Sequence, residues 1–182
     1  MDVLEAIGNT PLVRLRRITE LPVYAKAEFL NPGGSIKDRV AKFLIERAEQ
    51  QGKLRPGSII VEPSTGNTGI GLVLVGVRRG YRVIVVMPED MSEERKKIIR
   101  ALGGELVLVP ASEGIRGCVQ RVRAMAEADP RVYVPQQFEN PDNPEAHYRT
   151  TAPEIWEALE GRWCGNGPRG CRGSRTAGAR TP

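Results

Sequence analysis

The stretch from Ser58 to Met87, SIIVEPSTGNTGIGLVLVGVRRGYRVIVVM, carries the reading of the fold. Its two unbroken apolar runs, Ile59-Ile60-Val61 and Val83-Ile84-Val85-Val86, suit strands covered on both faces. Between them Thr68 to Arg79 reads as a helix that stops at Gly80, where a C-terminal glycine belongs. A strand, a helix and a second strand in so short a span argue for layered α/β structure around a largely parallel sheet.

Working outward, the same alternation extends from Val23 to Val134. Five strands are predicted: Val23 to Phe29, Ser58 to Glu62, Arg82 to Met87, Glu105 to Val109 and Arg131 to Pro135. Helices are predicted over Ile36 to Gln51, Thr68 to Arg79, Ser92 to Leu102 and Ile115 to Ala128. Gly52 and Gly103 sit at helix ends as Gly80 does, and Ser35 followed by Asp38 reads as a capping box with Asp in place of Glu. The expected fold class is thus α/β, an open twisted, largely parallel sheet with flanking helices.

The chain has 182 residues, enough for one domain, or one and a piece. A hydrophobic content of 40% with 27% charged residues is ordinary for a soluble globular protein, and neither a long apolar run nor a leader pattern appears. This points to the cytoplasm and away from a membrane. Cys118, Cys164 and Cys171 are an odd number without CxxC spacing, which argues against a disulfide framework and a zinc site.

The formal charge of +5 resolves once it is located. Arg162, Arg169, Arg172, Arg175 and Arg180 lie in an acid-free tail; taking these five from the 27 basic residues leaves 22 against 22 acidic ones. A basic tail on a neutral body argues against a nucleic-acid partner. The tail, Arg162 to Pro182, is rich in Gly and Arg and has no apolar periodicity, so it is expected to be disordered beside a domain over residues 1–161.

Three segments could carry chemistry. Asn31-Pro32-Gly33-Gly34-Ser35-Ile36-Lys37 follows a predicted strand and runs into a helix, placing Lys37 in the first helical turn. There the helix dipole disfavours an ammonium and favours the neutral amine, the form that condenses with a carbonyl. A solvated surface lysine is the plain alternative. Second, Glu62-Pro63-Ser64-Thr65-Gly66-Asn67-Thr68-Gly69 sets Ser64, Thr65, Asn67 and Thr68 beside the free amides of a helix start, with Gly66 allowing close backbone approach. This is an anion site suited to a carboxylate as well as a phosphate. The alternative is an N-cap with a tight turn. Third, Gln137 in Gln136-Gln137-Phe138-Glu139-Asn140-Pro141 follows the last strand, where ligands of open α/β sheets bind.

Taken together, and with Ile7-Gly8-Asn9-Thr10-Pro11-Leu12, Met87-Pro88-Glu89-Asp90 and Pro153-Glu154-Ile155-Trp156, these segments resemble the cysteine synthase (O-acetylserine sulfhydrylase) family. That family is fold type II of the pyridoxal-phosphate enzymes, and the resemblance covers about residues 7–159. It implies pyridoxal 5'-phosphate as cofactor, with Lys37 as the lysine that holds it and then takes the substrate's α-proton. It also implies Asn67 at the cofactor's ring oxygen, and Ser64, Thr65, Gly66, Thr68 and Gln137 around the amino-acid carboxylate. The implied reaction replaces the acetate of O-acetylserine by sulfide to give cysteine, in a homodimer and without a metal. A cystathionine β-synthase-like lyase is the near alternative. A non-catalytic fragment acting through a partner is the distant one.

Family members continue into a Gly-Thr-Gly-Gly-Thr loop that cradles the cofactor phosphate, which this chain lacks. An impaired, truncated enzyme is therefore expected, its tail having the composition of an out-of-frame translation of a GC-rich gene. The remaining candidates read as structural: His147 as a loop or surface residue, Cys118 as a small buried hydrophobe, and Ile155 and Trp156 as a helix face packed on the core.

Overall fold

A computed structural model of the chain describes residues 2–162. Its centre is a four-stranded parallel sheet of β3 (Ile59–Pro63), β4 (Arg82–Pro88), β5 (Glu105–Val109) and β6 (Val132–Tyr133), in the order β5-β4-β3-β6. The expected architecture is therefore present. β3 and β4 pair from Ile59↔Arg82 to Pro63↔Val86, whereas β6 pairs with β3 only at Ile59↔Val132 and Ile60↔Tyr133.

The apolar runs are unbroken because both faces of this sheet are covered. Ile60, Val83, Val85 and Met87 pack with Ala41 and Ile45 of α1 (Lys37–Gln50) and with Leu72, Val73 and Val75 of α2 (Asn67–Arg78). Their neighbours Ile59, Val61, Ile84 and Val86 point the other way, against Cys118 and Val122 of α4 (Gly114–Ala128). The period of two in a strand sends alternate residues to opposite faces, so every position in such a run gains from being apolar. Cys118 is fully buried, as read from its helix. α3 (Glu93–Ala101) adds Ile99 to the first of these cores.

The segment Val23 to Phe29 does not join the sheet. Only Tyr24–Lys26 is extended (β2), pairing antiparallel with Leu12–Arg14 (β1), and Phe29 falls in a 3-10 turn over Glu28–Leu30. Val23, Tyr24 and Phe29 are exposed, so this β-prone run has no core surface to cover it. The capping box is also different. Ser35 Oγ accepts the Lys37 N–H at 3.1 Å, and the Asp38 carboxylate reaches past Ser35 to accept the Gly33 N–H at 2.5 Å.

Beyond β6 the chain is helical: α5 (Asp142–Ala146), a π-helical turn (His147–Thr151) and α6 (Ala152–Ala158). His147 is therefore a half-buried helical residue with Nδ1 3.1 Å from Thr151 Oγ1, not a loop residue. Trp156 is 55% exposed rather than packed on the core. Its ring instead lies against the turn at Gly161. No helix among the described residues is long and apolar enough to cross a membrane. The expected disordered tail, apart from Arg162, lies outside the described residues.

Candidate active site

Lys37 opens α1 and is half-buried. Its position depends on the contact between α1 and α2. A Cβ on Gly71 would lie 2.9 Å from the Lys37 carbonyl oxygen and 3.2 Å from Ala41 Cβ, so only glycine lets α2 pass this close. Among the described residues Lys37 Nζ has no hydrogen-bond or ion-pair partner. Its charge reaches His147, whose pKa is lowered by burial and further by the positive charges of Lys37 and Arg39.

The loop before Lys37 is tied down on both sides. Asn31 Oδ1 accepts the Gly8 N–H at 2.9 Å, and Asn31 Nδ2 donates to the Glu28 main chain and carboxylate at 2.8 Å each. Asp38 is fully buried, and its Oδ1 has no partner among the described residues. Burial raises its pKa, the Gly33 N–H opposes this, and the charge of Glu28 adds to the rise.

Behind the loop, Arg39 fastens two other segments. Its guanidinium donates to Glu28 at 2.8 and 2.9 Å and to Glu154 at 2.5 and 2.7 Å, while Lys26 Nζ reaches Glu154 at 2.5 Å. Burial alone would raise the Glu154 carboxyl. The hydrogen bonds from Arg39, Lys26 and the Asn9 N–H outweigh it and hold the carboxyl at about 2.

The second loop turns Ser64 inward. Ser64 Oγ accepts the N–H groups of Gly69 at 3.0 Å and Gly66 at 3.3 Å and lies 3.4 Å from the Gly66 carbonyl, so this hydroxyl organises its own loop. Thr65 and Gly66 are half-buried and Asn67 is exposed at the first turn of α2. The main-chain N–H groups of Thr65, Asn67 and Thr68 have no partner among the described residues. Free amides of this kind are the donors that a helix start offers to an anion.

Gln137 comes to the same place from the far end of β6. Thr68 Oγ1 donates to Gln137 Oε1 at 2.5 Å, and both residues are buried. This bond settles the roles of the two side chains. The Thr68 hydroxyl proton is committed to Gln137, and the Gln137 amide turns its Nε2 donors away from Thr68. The Ser64 to Thr68 loop and Gln137 are therefore brought together as the sequence leads one to expect.

One contributor escaped the reading of the residues. Glu62, at 2% exposure, accepts the Gln136 N–H and the Gln137 N–H at 3.1 Å each. Burial pushes its pKa up to about 7 against the opposing pull of these two N–H groups. The available signal was a carboxylate inside an apolar strand, because a buried charge has to find partners. Among the described residues, no group of three or more His, Cys, Asp or Glu side chains is placed to hold a metal.

Known proteins resemble this chain over most of its described length. The cysteine synthase of Staphylococcus aureus is 47% identical over 164 residues, 88% of this chain and 53% of that protein. Among solved structures, an O-ureido-L-serine synthase is similar with a TM-score of 0.84 and 45% identity, over 88% of this chain and 51% of the other. An O-acetylserine dependent cystathionine beta-synthase from Helicobacter pylori gives 0.80 and 44%, over 87% and 54%. The chain spans about half the length of the curated relatives it matches. The family model for pyridoxal-phosphate dependent enzymes matches residues 3–164, so nearly all of the described structure is accounted for, and the chain belongs to that family.

Proposed function

We propose that this chain supplies the Lys37-bearing part, residues 1–161, of an enzyme of cysteine biosynthesis that exchanges the acetate of O-acetylserine for sulfide, releasing cysteine and acetate. The observation that supports the reading is that the main chain of Lys37 packs against α2 at Gly71, close along α2 to the free amides of Thr65 to Thr68, where the Thr68 hydroxyl is bonded to Gln137.

The residues present fit the carbonyl side of pyridoxal phosphate. Lys37 offers an amine with no competing partner among the described residues, and Asn67 offers an exposed amide at the neighbouring helix start. When bound, the cofactor supplies an electron sink that acidifies the substrate Cα–H. Lys37 would hold the cofactor, and its Nζ would take the substrate Cα proton. Asn67 would donate to the cofactor's ring oxygen. The free N–H groups of Thr65 and Thr68 and the Nε2 of Gln137 hold the substrate carboxylate, while Ser64 keeps the turn closed. The neutral, half-buried His147 near Lys37 adds no positive charge that would compete for the carboxylate.

A cytoplasmic homodimer is part of this proposal; the buried free thiol of Cys118 accords with a reducing compartment. A second reading keeps the donor and changes the nucleophile to homocysteine. It is favoured by the 44% identity to the Helicobacter pylori structure named for O-acetylserine dependent cystathionine synthesis.

The test is direct. The purified chain is incubated with pyridoxal phosphate, reduced with borohydride and digested; label concentrated on Lys37 is expected, and label spread over many lysines overturns the reading. Supplying O-acetylserine with either sulfide or homocysteine then separates the two nucleophiles.

A further inference from the structure

β3 loses its neighbour early. Its ladder with β6 covers only Ile59 and Ile60, after which the chain peels away toward Gln137. Where main-chain pairing stops, the Glu62 side chain takes over: Oε2 accepts the Gln136 N–H and Oε1 accepts the Gln137 N–H, both at 3.1 Å. An apolar residue would suit this buried strand position better, since an ionised carboxylate loses its hydration there. What an apolar side chain cannot provide is two acceptors in fixed geometry.

The segment held in this way is otherwise unfavourable. Gln136 has φ +56, a left-handed conformation that a residue with a Cβ seldom adopts. The next peptide is gripped from the other side, where Asn143 Nδ2 donates to the Gln137 carbonyl at 2.9 Å. With the main chain of Gln137 fixed fore and aft, its side chain is delivered to Thr68, and that bond directs the Nε2 donors outward.

We propose that Glu62 is the positioning residue of the carboxylate subsite, presetting Gln137 through two main-chain N–H groups without touching the ligand. The inference rests on the reading of Thr68 and Gln137 as carboxylate-binding residues. Glu62 has the same relation to Gln137 as a purpose-built bracket, because removing it frees the backbone on which the Gln137 to Thr68 bond depends.

The experiment uses the full 182-residue chain at about pH 8, where Glu62 is ionised. Amide hydrogen exchange at Gln136 and Gln137 is read by NMR without cofactor, and L-serine affinity is read from the absorption of the pyridoxal-phosphate-loaded chain. In Glu62→Ala, exchange at both amides is expected to rise about tenfold and L-serine affinity to fall about tenfold, since two buried donors lose their acceptors. Labelling of Lys37 and exchange at Val83 to Val86 are expected to stay as in the wild type. Glu62→Gln, which preserves shape and one acceptor oxygen, should fall between the two, and it stands in if Glu62→Ala does not fold. Unchanged exchange at Gln136 and Gln137 overturns the clamp. Faster exchange with unchanged L-serine affinity overturns the positioning role. A wild-type chain that binds no L-serine sinks the subsite reading and the positioning role with it, while exchange still judges the clamp.

Discussion

Thr68 and Gln137, 69 positions apart in the chain, are joined side chain to side chain by a 2.5 Å hydrogen bond between buried partners. It closes the gap between the first turn of α2 and the segment beyond β6, and so fixes the width of the candidate carboxylate site. Thr68→Val keeps the shape and leaves Gln137 Oε1 without its donor, at an expected cost of about 1 to 3 kcal/mol in urea unfolding. A change under about 0.5 kcal/mol would mean that water replaces the hydroxyl at no penalty.

Gly71 sets the approach of α2 to Lys37. Gly71→Ala would push its Cβ to 2.9 Å from the Lys37 carbonyl oxygen, which is main chain and cannot swing aside. Overpacking of this kind should destabilise by about 1 to 3 kcal/mol and lower borohydride-fixed pyridoxal phosphate at Lys37. Peptide mapping and urea unfolding on one preparation measure both; wild-type labelling would show that Lys37 does not depend on this contact.

Lys37→Ala, in contrast, should remove the labelled peptide and change stability by no more than about 0.5 kcal/mol, because the Lys37 Nζ holds nothing else in place among the described residues. Persisting label at wild-type level would transfer the cofactor role to another lysine.

The Arg39 cluster should govern acid stability. Glu154 ionises near 2 in the folded chain against about 4.5 when unfolded, so its contribution is fully present above about 4.5 and is lost as pH falls through about 2. The shift corresponds to roughly 3 kcal/mol. Arg39→Met leaves Glu28 and Glu154 facing each other without their guanidinium and should cost about 3 kcal/mol near neutral pH. Unfolding free energies across acidic pH for both proteins check this, and parallel curves would refute it.

Glu62 has the opposite sign. Its folded pKa of about 7 lies above the unfolded value, so the stability linked to its proton is fully present below about 4.5 and is lost as pH rises through about 7, by roughly 3 kcal/mol. Glu62→Gln should remove this slope between about pH 5 and pH 8 while keeping the fold. An unaltered slope would assign it to other groups.

Much of this protein was legible in its residues. The runs Ile59 to Val61 and Val83 to Val86 announce strands covered on both faces because alternate side chains must enter two cores, and both cores are there. Gly80 marks a helix end, and Lys37, Ser64 to Thr68 and Gln137 stand out as polar groups at strand-to-helix turns. These signals are local: each depends on neighbours within a turn or a strand.

What only the tertiary structure decided depends on distance. Val23 to Phe29 has the composition of a sheet strand and becomes a short antiparallel pair, since strand propensity says nothing about which surface is available to cover it. Glu62 stands out as a carboxylate in an apolar strand, but its partners are known only when the chain returns 74 positions later with two N–H groups that need acceptors. Glu154 acquires its role 115 positions from Arg39. Local sequence sets backbone preference and apolar periodicity, whereas the partner of a buried charge is chosen by where the folded chain happens to bring a donor.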